Sequence, residues 1–247
     1  LSDQKKYQEA ITYFNKALKI NPNYAENYFY LGLAFQAIGE PKRAIEFYQK
    51  ATKITPNNVK LLKLLGIAQA NIGDYRAAIP TYKKALEMQP NCIETHKNLG
   101  AAFTAQSSFP DALNHLKISL QINSKDPEIY FNLGVLSLSQ KKHRKAIQYF
   151  NKALKINPNY AEAHNNRGSC LRARGSLREA VEAFNEAATL NPDMFKAKCA
   201  KLFIKKEICD WSGFHQPKTE FRGLGITTPS VDPFQLISME DHPERQL

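Results

Sequence analysis

Apolar and small residues recur along this chain every 34 residues, separated by polar positions at helical intervals. Each 34-residue stretch contains two segments of about 13 residues whose apolar side chains follow a helical period, which predicts two amphipathic helices. One such pair cannot bury its own apolar face, so successive pairs are expected to stack and share a continuous core. The pattern therefore predicts an all-α solenoid.

One fourteen-residue segment, YFNKALKINPNYAE, occurs twice. It spans residues 13–26 and returns at residues 149–162, an offset of four times 34 residues. This register predicts a half repeat at 1–24, and we expect the native protein to begin earlier. Full repeats are predicted at 25–58, 59–92, 93–126, 127–160 and 161–194, followed by a capping helix at 195–208 and a mostly irregular segment at 209–247.

A column of glycines lies inside the first predicted helix of every full repeat. Its members are Gly32, Gly66, Gly100, Gly134 and Gly168. Because glycine inside a helix costs about 1 kcal/mol relative to alanine, the column indicates that a second helix approaches closely. The expected neighbours are small residues of the second helix, namely Ala44, Ala78, Ala112, Ala146 and Ala180. Large residues of the same helices are expected to fill the gaps between helices, namely Tyr48, Tyr82, Leu116, Phe150 and Phe184.

The turns between paired helices also share a position. It holds Gly39, Gly73 or Gly175 in three repeats, but Ser107 and Lys141 in the other two. Glycine at a helix end permits positive φ. We expect slightly looser turns at the two departures.

The glycines are preceded by leucine in four of five repeats, with Arg167 in the fifth, and the second helices follow the spacing A-x3-F-x2-A-x4-P. These motifs resemble the tetratricopeptide repeat (TPR) pattern W-x2-L-G-x2-Y…A-x3-F…P over about four-fifths of the chain. The resemblance implies a right-handed superhelix. Its concave face, lined by the first helices, is where such folds bind proteins.

Three asparagines stand 34 residues apart, immediately before the Leu-Gly position. They are Asn98, Asn132 and Asn166, whereas Tyr30 and Leu64 occupy this position in the earlier repeats. An amide offers both a donor and an acceptor, so a row of them can hold the backbone of an extended peptide without reading its sequence. The alternative is that they are ordinary polar residues bonded to neighbouring helices.

Lys63, Lys97 and Asn165 lie beside this column and could hold a carboxylate. The set of Lys, Asn and Arg that such a clamp needs from three successive repeats is not complete here, so solvated lysines are the favoured interpretation. The net charge of +11 is concentrated before residue 209, which favours acidic flanks on a partner over long range. Nucleic acid is disfavoured because the chain has no run of Lys and Arg and no aromatic stacking motif.

No arrangement of side chains typical of catalysis, metal binding or cofactor binding occurs in the sequence. His96 and His164 occupy the aromatic position that holds Tyr28 and Tyr130 in other repeats, so packing explains them, and His115 fits a surface pattern. The four cysteines lack paired spacing and predict free thiols in a reducing compartment, the cytoplasm. No apolar run reaches the length of a membrane span.

The segment 209–247 is not a repeat. Its order of motifs, CDWS at 209–212, then DPF at 232–234 and EDHP at 240–243, resembles the junction in glycosyltransferases of the O-GlcNAc transferase/SPINDLY type. Trp211 is expected to anchor the end of the solenoid. The resemblance implies that the repeats recruit acceptor proteins for a UDP-sugar-dependent enzyme whose catalytic half follows this junction, so this chain itself is not expected to be an enzyme. A stand-alone interaction scaffold is the alternative, and the sequence leaves self-association as a homodimer open.

Overall fold

The computed structural model describes residues 2–208, and within that range the chain is all-α. The proposed junction and Trp211 lie outside the described residues. The helices are α1 Ser2–Ile20, α2 Ala25–Ala37, α3 Pro41–Ile54, α4 Val59–Asn71, α5 Tyr75–Met88, α6 Ile93–Ala105, α7 Phe109–Ile122, α8 Pro127–Ser139, α9 His143–Ile156, α10 Ala161–Ala173, α11 Leu177–Leu190 and α12 Phe195–Glu207.

The chain divides into two compact units, one ending at Gln140 and the other beginning at Lys141. The first unit contains α1 to α8 and the second contains α9 to α12. Within each unit, consecutive helices pack on one another, and α6 also contacts α8 directly. The division falls inside the predicted repeat 127–160, and the repeat boundaries themselves stay a prediction.

The glycine column marks a close approach of helices at Gly32, Gly66, Gly100 and Gly168. A Cβ atom added to Gly100 would lie 2.6 Å from Cδ2 of Leu116, and one added to Gly168 would lie 3.0 Å from a ring carbon of Phe184. In the earlier repeats the corresponding neighbours are the rings of Tyr48 at Gly32 and Tyr82 at Gly66. At these four positions the predicted large residues fill the gap, and they lie nearer to the glycine than the alanines that were expected against it.

The alanines of the second helices are nevertheless part of the core. Ala44, Ala78, Ala112 and Ala180 have no solvent exposure. The large residue four positions after each alanine has a side chain long enough to cross the gap between the helices and contact the glycine. A tyrosine, phenylalanine or leucine side chain thus occupies the space of the missing Cβ. The small alanine side chain allows the two helix backbones to approach each other.

The turns at Ser107 and Lys141 keep the conformation of the glycine turns. Ser107 has φ of 60° and Lys141 has φ of 58°, while Gly39 has φ of 80°. The Ser107 turn closes with hydrogen bonds of 3.0 Å from Ser107 N to Thr104 O and 2.9 Å from Ser108 N to Phe103 O. The expectation of a looser turn was wrong at Ser107, where surrounding helix packing holds a non-glycine residue in the left-handed region.

The duplicated segment forms the same local structure in α1 and α9, but with different burial. Phe14 and Ala17 are half-buried in α1, whereas their equivalents Phe150 and Ala153 in α9 are completely buried. Identical local sequence therefore specifies the helix, while its tertiary surroundings decide how much of it is covered.

Candidate functional site

The predicted site residues lie on first helices in both units. In the first unit, Lys63 is on α4, Lys97 and Asn98 are on α6, and Asn132 is on α8. Asn98 and Asn132 are 34 residues apart and so occupy equivalent positions of successive repeats. The helices that bear them, α6 and α8, contact each other. Both asparagines are half-buried.

The amide nitrogen of Asn98 has no hydrogen-bond partner although it is shielded from solvent. An unsatisfied buried donor costs about 1 to 3 kcal/mol. A carbonyl oxygen brought into this face could relieve that cost once the amide rotates outward. Asn98 therefore carries, on a first helix, a donor nitrogen without an acceptor among the described residues.

Lys97 is held between two carboxylates at the start of α8, those of Asp126 and Glu128. Its Nζ donates to Oδ2 of Asp126 at 2.8 Å and also forms an ion pair with Glu128. Burial lowers the pKa of Lys97, but the hydrogen bonds that Lys97 donates to Asp126 and Glu128, together with the charges of these carboxylates, outweigh this effect and leave the pKa raised. Asp126 meanwhile caps α8 by accepting from the backbone N–H of Glu128.

Lys63 forms the corresponding contact one repeat earlier, where its Nζ pairs with Glu94. In both repeats the lysine is the covered partner: the side chains of Lys63 and Lys97 are 24% and 12% exposed, whereas those of Glu94 and Glu128 are 52% and 48% exposed. The two lysines thus link neighbouring first helices, and each already has a carboxylate partner.

The second unit contains the remaining predicted site residues on α10. Asn165 Nδ2 lies 3.4 Å from Oδ1 of Asn166, a long hydrogen bond between sequence neighbours. Beside them, Arg167 replaces the usual leucine, and its Nη1 lies 3.4 Å from Oδ1 of Asn151. Burial lowers the pKa of Arg167, and the carboxylates of α11 oppose that shift. The asparagine pair and this arginine form a polar surface on α10.

The first repeats also contain an aromatic cluster that was not among the predicted site residues. Tyr30 stacks on Phe14 with ring centroids 5.4 Å apart and meets the edge of Phe29 at 5.2 Å. Lys60 Nζ lies 5.2 Å from the centroid of Phe29. Tyr30 is 46% exposed and occupies the register of the asparagine column, which is the signal that could have identified it.

The described residues also bear on metal binding, membrane spanning and thiol reactivity. Within residues 2–208, no group of three or more potential metal ligands comes together, and no helix has the length and apolarity needed to cross a bilayer. Cys92, Cys170 and Cys199 form no disulfide among the described residues. Burial raises the pKa of Cys170 to about 11, so this thiol is protonated and unreactive at neutral pH.

Family models match three parts of the chain. A tetratricopeptide repeat model matches residues 127–160 and 161–194, and a second tetratricopeptide repeat model matches residues 63–127. A model described as regulator of microtubule dynamics protein 1-3 matches residues 3–65. No curated protein matches the chain. None of these models is described as a glycosyltransferase, so that resemblance stays a prediction.

Solved structures with a similar fold include MamA, which is 28% identical over 67% of this chain and 97% of its own, with a TM-score of 0.55. YrrB, described as a TPR protein with an unusual peptide-binding site, is 23% identical over 76% of this chain and 97% of its own, with a TM-score of 0.53.

A chain of the APC/C hetero-tetramer Cut9-Hcn1 is 17% identical over 94% of this chain, with a TM-score of 0.70. This chain spans only 46% of the length of that neighbour. The two tetratricopeptide models together match residues 63–194, more than half of the sequence, and the helix pairs follow the same register. The chain belongs to the tetratricopeptide repeat family.

Proposed function

We propose that this chain binds an extended protein segment along its first helices, with Asn98 and Asn132 contacting the backbone of that segment. The observation that carries the proposal is the unpartnered amide nitrogen of Asn98 on α6, next to the equivalent asparagine on α8. The tetratricopeptide fold is a protein-interaction scaffold, and the description of YrrB includes a peptide-binding site. Asn166 on α10 would make the equivalent contact in the second unit.

The lysines beside the asparagines are not available to a partner without the loss of an existing contact. Lys63 and Lys97 are already paired with carboxylates, so an acidic segment would have to displace Glu94, Asp126 or Glu128 to reach them. The proposal therefore relies on the asparagines for affinity. Acidic flanks remain a separate prediction, tested by comparing the same peptide with glutamate flanks and with lysine flanks.

The test is a binding measurement on an array of fifteen-residue peptides, followed by fluorescence anisotropy with the best-bound sequence. Replacing Asn98 and Asn132 together by Ala should weaken binding by about tenfold or more, since two hydrogen bonds of about 0.5–1.5 kcal/mol each are lost. Asn114→Ala is the matched control because Asn114 is an exposed asparagine on the second helix α7. Unchanged affinity in the double variant, with helix content intact, would contradict the proposal.

A finer proposal concerns the protein to which the repeats belong. We propose that they recruit acceptors for a UDP-sugar-dependent protein O-glycosyltransferase, and its support is the motif order of segment 209–247 alone. A stand-alone scaffold fits the fold equally well. The intact mass of the protein from its source discriminates the two: a mass more than twice 28.0 kDa favours the enzyme, and a mass near this value favours the scaffold.

A further inference from the structure

Two histidines face each other between α6 and α7. Nδ1 of His96 lies 2.9 Å from Nδ1 of His115, and Nε2 of His96 lies 2.8 Å from the carbonyl oxygen of Pro90, in the turn before α6. A carbonyl oxygen only accepts hydrogen bonds, so Nε2 of His96 must carry a proton. In the neutral ring Nδ1 is then an acceptor, and His115 must donate from its own Nδ1. The geometry therefore specifies one tautomer for each ring.

The surroundings of the pair disfavour a positive charge on His115. The ring of Phe103 stacks on His115 with centroids 5.6 Å apart and nearly parallel planes, and Lys83 of α5 lies 5.5 Å from the centroid of Phe103. Burial lowers the pKa of His115, as do His96 and Lys83, while Asp111 on α7 raises it. These groups come from α5, α6 and α7, the helices that surround the pair.

We infer that the His96–His115 pair is a proton-sensitive lock that joins α6 to α7 and to the Pro90 turn. A proton added at Nε2 of His115 keeps the hydrogen bond but places a cation in a half-buried site beside Lys83. This protonation weakens the packing of α6, the helix that bears Lys97 and Asn98.

The direction of the pH effect follows from linkage. His115 has an ordinary pKa of 6.5 that is lowered in the folded chain, so below about pH 6.5 the unfolded chain binds more protons than the folded one. The stabilisation is complete above pH 6.5 and is lost as the pH falls below that value. Acidification should therefore loosen α6 from α7.

The first full repeat supplies a version of the same pair without a titratable ring. The residues equivalent to His96 and His115 are Tyr28 and Phe47, whose rings stack with centroids 6.4 Å apart. The double variant His96→Tyr with His115→Phe therefore copies a pairing that this protein already contains.

His164→Tyr is the matched control. His164 occupies the same position two repeats later and contacts the carbonyl oxygen of Pro158 at 2.9 Å, but the residue equivalent to His115 there is Ala183. The control thus removes a histidine with the same carbonyl contact and no facing histidine.

The experiment measures the unfolding midpoint of the full chain between about pH 7.5 and pH 5. The midpoint of the wild-type chain should fall on acidification, the double variant should lose most of that fall, and His164→Tyr should retain it. Equal pH dependence in the wild-type chain and the double variant would overturn the inference. Should the double variant fail to fold, nitrogen-15 NMR of wild-type His96 and His115 decides: protonated Nε2 on His96 and protonated Nδ1 on His115 support the lock, and any other tautomer pair rejects it.

Discussion

The ring of Tyr48 on α3 occupies the space that a Cβ atom on Gly32 of α2 would need. Tyr48 is completely buried, and its hydroxyl donates to Oε1 of Gln36 at 2.9 Å, so the ring cannot move aside without losing a hydrogen bond. We expect Gly32→Ala to destabilise the chain by about 1–2 kcal/mol, because a contact this close puts the overpacking cost at about 2–3 kcal/mol, which exceeds the gain of about 1 kcal/mol in helix propensity.

The same substitution at Gly168 is the matched comparison. There the nearest atom of Phe184 would lie 3.0 Å from the new Cβ, so a small shift suffices and the expected net change is about zero. Urea denaturation of both variants measures the difference. Equal destabilisation at the two positions would show that the ring contact does not decide the effect.

A second prediction concerns the lysine between α6 and α8. Lys97→Met removes the ammonium group but keeps an apolar side chain of similar length. The substitution leaves the mostly buried carboxylate of Asp126 without its cationic partner. We expect a loss of about 1–3 kcal/mol in the free energy of unfolding. Lys63→Met should cost less than about 1 kcal/mol, because Lys63 and its partner Glu94 are more exposed. The midpoint of urea unfolding measures both.

The pH dependence of this contribution has a defined sign. Because the pKa of Lys97 is raised above 10.5 in the folded chain, its contribution is complete below pH 10.5 and disappears as the pH rises through the folded value. The wild-type chain should therefore approach the stability of Lys97→Met only in strong alkali. A difference that vanishes at pH 8 would contradict this assignment.

A proline in the interior of α5 predicts a stabilising substitution. Pro80 is the sixth residue of the helix and is exposed, so it removes an intrahelical hydrogen bond without a packing role. Pro80→Ala should raise the free energy of unfolding by about 1–3 kcal/mol. Pro41→Ala is the control, because Pro41 is the first residue of α3, where proline is well tolerated. Thermal unfolding of the two variants should show a clear increase for the first and little change for the second.

The turn at Ser107 provides a reciprocal pair of variants. Ser107 has φ of 60°, a region where a side chain carries a steric penalty that glycine lacks. We expect Ser107→Gly to stabilise the chain by about 0.5–1 kcal/mol, and Gly39→Ser at the equivalent turn to destabilise it by a similar amount. Denaturant midpoints test both, and a stabilising Gly39→Ser would refute the argument.

The fold class followed from the sequence because its signals are periodic and local. The 34-residue register and the column of glycines predict paired helices that approach closely, and the structure confirms an all-α tetratricopeptide fold. Leu116 was expected to fill a gap between helices, and it does so at Gly100. That Leu116 and not Ala112 lies nearest to the glycine could not be predicted, because both lie on the same face of α7 and the distance between the helices decides which one reaches across.

The chemistry of the surface was harder to predict because it depends on contacts between repeats. Lys97 is surrounded by acidic residues about thirty positions away in the chain, and no local pattern reveals that pairing. His115 was assigned to the surface from its neighbours in sequence, but it bonds to His96 on the preceding helix. Side chains that meet across helices therefore need three-dimensional information even in a strictly periodic protein.

The duplicated segment gives this protein an internal standard. Residues 13–20 of α1 and 149–156 of α9 have the same side chains, so a difference in amide exchange between them comes from their surroundings and not from local propensity. Slower exchange around Phe150 than around Phe14 would measure what burial adds to a helix of fixed sequence. One molecule thus contains both a helix and its less-buried reference.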